Sequence, residues 1–171
     1  LTSNDRFMDF IETIRPTIPL AMRDILTSEV DYIMMGLLAE TFWGGLEGNA
    51  EFVAYLREVM RPDMDLTTGA NAVQAVLSKF EVKNISVVSP YQPIDDEQVL
   101  RFFKESGFNV ISNIGLRCDT ATSISHTLQK DVLQCVLNDL DGDNVEATAE
   151  AVYTNQRYND LAFFPRPRHQ R

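Results

Sequence analysis

Three short runs rich in apolar and β-branched residues, 30–38, 84–89 and 108–114, alternate with stretches whose apolar residues recur every three or four positions. That alternation is the signature of strand, crossover helix and next strand, and it confines the chain to α/β architectures with parallel strands. The run VDYIMMGLL, Val30 to Leu38, has almost no polar interruption and predicts a strand covered on both faces. It leads into TFWGG, an aromatic turn ended by Gly44 and Gly45. The expected fold is α/β: a doubly wound, mainly parallel sheet with helices on both faces, in one domain over residues 1–153. Residues 154–171 lack periodicity and read as an irregular basic tail, in which Leu161 to Pro165 suits only a sheet edge.

Phe7, Phe10, Ile11 and Ile14 predict an opening helix capped by Ser3 or Asn4, which Pro16 and Pro19 break or kink before Ile18, Met22, Ile25 and Leu26 resume the apolar face. Later stripes at Phe52 to Val59, Ala70 to Phe80 and Val99 to Phe103 predict three more helices, the last with a left-handed cap at Gly107. Ile124, Leu128, Val132, Cys135 and Val136 form one further helical face running to about Asn138.

At 171 residues and 44% hydrophobic content the chain can bury a core without a disulfide or metal staple. Cys118 and Cys135 lack the spacing of a metal or redox pair and suit a reducing, cytoplasmic compartment, and residues 1–10 carry no secretory pattern. The chain starts at Leu1 instead of Met, which reads as a segment or a processed product. No run approaches the roughly 18 apolar residues that cross a bilayer, so no membrane partner is expected. The net charge is −10, and four arginines in 157–171 leave the rest more acidic still. Such a body repels phosphate backbones, which argues against nucleic acid as a main partner.

Asp139, Asp141, Asp143 and Glu150 fall at the first, third, fifth and twelfth places of a calcium loop, but Asn144 stands where that loop needs glycine. A solvated acidic turn is the better reading. Glu40 reads as a cap or solvated turn residue, or as a general base if burial raises its pKa. His126 is expected at the surface, and no nucleophilic triad is spaced in the sequence.

The strand ends are the informative places: LLAETFWGG, then Thr67-Thr68-Gly69-Ala70-Asn71, then Ser89-Pro90-Tyr91. Together with VDYIMMG, the segment TTGANAVQAVLSKFEVKNISVVSPY and DDEQVLRFFKESGFNV, they make residues 5–147 resemble the aspartate/glutamate racemase superfamily, in particular its maleate cis-trans isomerases and arylmalonate decarboxylases. The resemblance implies a cofactor-free site for a small carboxylic acid, held by hydroxyls and backbone N–H groups at strand ends, and pairing of subunits into a homodimer. It implies two catalytic cysteines in racemases and maleate isomerases, and only the second in arylmalonate decarboxylases.

Carried onto this chain, the first cysteine position is Leu37, and the small hydroxyl residues expected next are Leu38 and Ala39. Thr41, Phe42, Gly44 and Gly45 match the turn, and Thr67, Thr68, Ser89 and Tyr91 are the expected substrate-binding residues. Tyr91 also reads as a plain turn aromatic, and Phe42 and Trp43 as packing residues. The second cysteine is expected after Ala147, but Thr148 to Tyr153 has none and looks helical, as though that strand were deleted or rewritten. The resemblance also implies a strand before residue 1 and a strand–helix unit after 153. Two functions follow: cofactor-independent isomerisation, racemisation or decarboxylation of a small (di)carboxylic acid, or a catalytically silent relative serving binding or association.

Overall fold

The computed structural model describes residues 3–28, 30–36, 38–140, 147–150 and 163–165. Helix α1 (Ser3–Ile14) is followed by a single 3₁₀ turn over Arg15–Thr17 and by α2 (Ile18–Leu26). Pro16 and Pro19 each stand in the first turn of the new element, where a missing N–H leaves no bond unmade. Then come β1 (Tyr32–Met35), α3 (Leu38–Phe42), α4 (Gly45–Arg57), β2 (Asp65–Thr68), α5 (Gly69–Lys79), β3 (Asn84–Ser89), α6 (Pro93–Glu105) and β4 (Asn109–Gly115). Helices α7 (Ala121–Ser125) and α8 (Gln129–Leu140) and strands β5 (Ala147–Glu150) and β6 (Phe163–Pro165) complete the described elements.

β1 and β2 pair in parallel, and the remaining strands form a sheet in the order β4-β3-β5-β6, parallel except for β6 against β5. β3 explains why helices cover both faces of this sheet. Successive side chains of a strand point to opposite faces. Ile85 and Val87 pack with Val73, Leu77, Val99, Phe102 and Phe103 of α5 and α6, while Val88 packs with Val132 and Val136 of α8. The mainly parallel, helix-covered α/β fold expected from the strand–helix alternation is the fold observed. Gly107 ends α6 at φ +85, the left-handed cap that its position called for.

Four sequence expectations are corrected. β1 is covered on one face among the described residues: Ile33 is buried with Met22, Phe52 and Leu56, whereas Tyr32 and Met34 are 56% and 67% exposed. The apolar run also divides, since the strand stops at Met35 and α3 begins at Leu38. The helix expected over Ile124 to Asn138 is two helices, because the His126 N–H closes α7 on Thr122 and Ser123 while the Leu128 carbonyl opens α8 by accepting from Asp131. Leu128 is therefore exposed instead of core.

The fourth correction concerns Thr148, expected to start a helix-like segment. Ala147–Glu150 is a strand without a cysteine, pairing in parallel with Ile85 to Val88 of β3. β6 pairs with β5 from within the segment read as an irregular tail, the edge role expected of Phe163 to Pro165. Leu37 and Tyr153, the two positions tied to the missing cysteines, lie outside the described residues, as do Asp141 and Asp143 of the acidic loop. Among the described residues no helix is long and apolar enough to cross a membrane.

Candidate functional site

Three strand-end turns meet in one packed cluster. Ala39 and Phe42 follow β1, Ala70 follows β2 and Tyr91 follows β3, and all four belong to the same buried core as Phe102 and Phe103. Phe42 is the centre, with its ring 5.1 Å from Phe102 in an edge-to-face arrangement and 5.6 Å from Phe103. Its role is packing, as its place in the aromatic turn suggested.

The hydroxyls expected around a substrate fall into separate groups and are mostly committed to the protein itself. Thr68 is fully buried at the N-cap of α5, where its Oγ1 accepts from Asn71 N at 3.1 Å and donates to Asn49 Oδ1 at 3.2 Å. Thr41, also fully buried, accepts from Ala70 N at 3.3 Å and so ties α3 to the start of α5. Asn49 Nδ2 donates to Asn71 Oδ1, closing a polar knot around the start of α5. Thr67 is half-buried on β2, in register with Met34.

Ser89 and Tyr91 belong to a second knot, which joins the ends of β3 and β4. Ser89 Oγ donates to Asp96 Oδ1 and accepts from Tyr91 N at 3.3 Å. Arg117 Nη1 donates to Asp96 Oδ2 and, at 2.8 Å, to the Tyr91 carbonyl. Backbone bonds lace the same two ends, from Leu116 N to Ser89 O at 2.8 Å and from Cys118 N to Pro90 O at 2.9 Å. Gln92 Nε2 donates to the Cys118 carbonyl at 2.9 Å.

Arg117 is the residue that the sequence reading missed. Its backbone sits at φ +59, a left-handed conformation that costs a non-glycine residue about 1 kcal/mol or more and is held here by the surrounding bonds. Its side chain is 46% exposed while its partner Asp96 is 5% exposed. One nitrogen is thus anchored, and among the described residues Nε and Nη2 carry no partner. A basic residue two positions after a strand, in an acidic chain, was the available signal.

Asp95 lies beside this knot in the first turn of α6, 1% exposed, with neither carboxylate oxygen hydrogen-bonded among the described residues. Burial first, and then the neighbouring Asp96, push its pKa up to about 8, so it is mainly protonated at neutral pH. Glu40 has a different environment from the cap or solvated turn expected of it. It is fully buried in α3, one oxygen ion-paired with Arg15 Nε and the other without a partner among the described residues.

Neither cysteine is in a disulfide, and both are half-buried. Cys118 stands next to Arg117, its sulfur 3.5 Å from Thr127 Oγ1, and Cys135 packs with the β3–α8 cluster. His126 is exposed, as expected. A cleft of about 400 Å³ lies elsewhere, between the 3₁₀ turn at Arg15 and α4, and none of the expected substrate residues lines it.

No family model matches the sequence, and no curated protein matches it. Solved structures match the fold. Maleate cis-trans isomerase from Nocardia farcinica, bound to TRIS, superposes with a TM-score of 0.71 at 17% identity over 85% of this chain and 59% of that one. A point mutant of the same enzyme, carrying a covalently bound succinylcysteine intermediate, gives 0.75 at 15% identity over 84% and 60%. Arylmalonate decarboxylase gives 0.66 at 14% identity over 81% and 60%. At these identities the likeness is one of fold: the chain has the α/β fold shared by maleate isomerase and arylmalonate decarboxylase, as the sequence resemblance implied. It spans about three fifths of the length of those enzymes.

Proposed function

We propose that the joined ends of β3 and β4 bind a small carboxylic acid, in a protein of the aspartate/glutamate racemase superfamily of the maleate isomerase and arylmalonate decarboxylase type. Arg117 carries this reading. A guanidinium with one nitrogen fixed by Asp96 and Tyr91 presents its remaining N–H groups as a planar fork, the geometry that recognises a carboxylate by paired bonds. Thr41, Thr68 and Ser89 already serve as structural acceptors or donors, so the Arg117 fork is the group offered to the ligand there. An acidic chain of charge −10 discriminates against anions at long range, so the site acts through these close contacts.

Chemistry at this site is cofactor-independent isomerisation, racemisation or decarboxylation. Cys118 is the nearest thiol and Asp95 the nearest neutral carboxylic acid. A thermal-shift survey of maleate, aspartate and substituted malonates tests the binding step: stabilisation that disappears in Arg117→Gln supports it, and no response to any of these acids removes it.

The second reading is a catalytically silent relative, and the commitment of Thr41, Thr68 and Ser89 to internal hydrogen bonds favours it. Turnover of maleate or a malonate that survives Cys118→Ser would contradict silence and assign the proton transfer to a carboxylate. Pairing of two copies belongs to the same reading, as does a reducing, cytoplasmic location for the two thiols; a monomer in light scattering at working concentration would remove the pairing.

A further inference from the structure

The cleft between the 3₁₀ turn and α4 includes Trp43 and Gly44 of the turn after β1, shares no residue with the joined ends of β3 and β4, and has its own chemistry. Its volume, about 400 Å³, is that of a small-molecule site, and its walls are Trp43, Phe52, Tyr55 and Pro16. Two charged residues of opposite sign line it, Arg15 and Glu51. Arg15 is held from behind, because its Nε is ion-paired with the fully buried Glu40, and its Nη groups have no partner among the described residues. Glu51 is exposed on α4 and makes no ion pair among the described residues.

We propose that this cleft binds a zwitterionic amino acid with an aromatic or large apolar side chain. The ligand carboxylate accepts from the Nη groups of Arg15, its ammonium pairs with Glu51, and its side chain lies against Trp43, Phe52 and Tyr55. A carboxylate alone leaves Glu51 facing the ligand without compensation, and an amine alone meets the Arg15 cation; only a dipolar molecule satisfies both walls. The aromatic wall supplies the apolar contact, and Tyr55, 38% exposed, forms its open side. Glu40 makes the anchoring specific, since a buried carboxylate fixes where the guanidinium stands.

Trp43 is the single tryptophan of the chain, so its emission reports on this cleft directly. The full chain is titrated with phenylalanine, phenylacetate and phenethylamine, the last two each lacking one charge. The expected result is a saturable emission change with phenylalanine binding about tenfold more tightly than either half-analogue. In Glu51→Gln, an exposed substitution that leaves the fold intact, phenylalanine falls to the affinity of phenylacetate. Arg15→Lys keeps the charge beside Glu40 but not the planar fork, and weakens phenylalanine and phenylacetate together while sparing phenethylamine. Equal affinities for the three compounds, no emission change, or an unaffected Glu51→Gln would each overturn the proposal. Maleate and malonates act at the strand ends and leave Trp43 emission unchanged, so failure of one site is distinguishable from failure of the other.

Discussion

Arg117 and Asp96 form an ion pair that fastens the end of β4 to the first turn of α6, and Gly115 leaves the room for it. A Cβ at position 115 would run into both Arg117 Nη1 and Asp96 Oδ2. Gly115→Ala is therefore expected to force the two groups apart and to cost about 1–3 kcal/mol in denaturant unfolding, the range for overpacked sites. The same variant loses the maleate-induced thermal shift. A variant as stable as the parent with the shift intact would show that the pair does not hold the strand ends.

Asp95 sets a pH dependence. Its folded pKa of about 8 lies above the unfolded value of 3.8, so between these values the folded chain binds the extra proton. Stability from this group is fully present below pH 3.8 and declines as pH rises through about 8, by up to about 1.4 kcal/mol per unit. Asp95→Asn, which cannot ionise, should flatten the fall in unfolding free energy between pH 5 and pH 8. An unchanged slope would place the ionisation elsewhere.

The Arg15–Glu40 pair joins a half-exposed cation to a carboxylate with no solvent contact. Removing the cation leaves a buried charge uncompensated, so Arg15→Gln is expected to cost about 3–5 kcal/mol. Adding Glu40→Gln should recover a large part of that loss, which a double-mutant cycle measures directly. Equal stability of the single and double mutants would mean that Glu40 does not depend on Arg15 for compensation.

Thr68 and Phe42 separate structural from binding roles. Thr68→Val removes a helix cap and a bond to Asn49 and should cost about 1–2 kcal/mol. Phe42→Ala empties the centre of an aromatic cluster and should cost about 3–5 kcal/mol. If Thr68→Val abolishes the maleate response at unchanged stability, its hydroxyl contacts ligand instead of Asn49.

The layered fold was legible because β3 is apolar on both faces and the helices around it keep a clear 3.6-residue stripe. Alternation between core and solvent is absent from β3, where Ile85, Val87 and Val88 are all buried. The same apolar pattern misled at Val30 to Leu38, since periodicity cannot report how many neighbours a strand has, and Tyr32 and Met34 are exposed. Thr148 to Glu150 looked helical by composition, yet pairing with β3 makes it a strand, a case of tertiary context overriding weak propensity.

For the site, sequence order located the strand-end turns but not what their side chains do. Thr41, Thr68 and Ser89 share the residue type of carboxylate donors, and only the three-dimensional partners reveal that Ala70, Asn71 and Asp96 already occupy them. Arg117 was invisible because its value depends on Asp96 and the Tyr91 carbonyl, more than twenty residues away in sequence.

The most direct test of the carboxylate site is a ¹H–¹⁵N chemical-shift titration of the full chain with maleate and phenylmalonate. Saturable shifts are expected in residues 89–92 and 115–118, lost in Arg117→Gln, with the Trp43 indole signal unmoved. Shifts that persist in Arg117→Gln, that gather at residues 43–55, or that are absent throughout would contradict carboxylate binding at these strand ends.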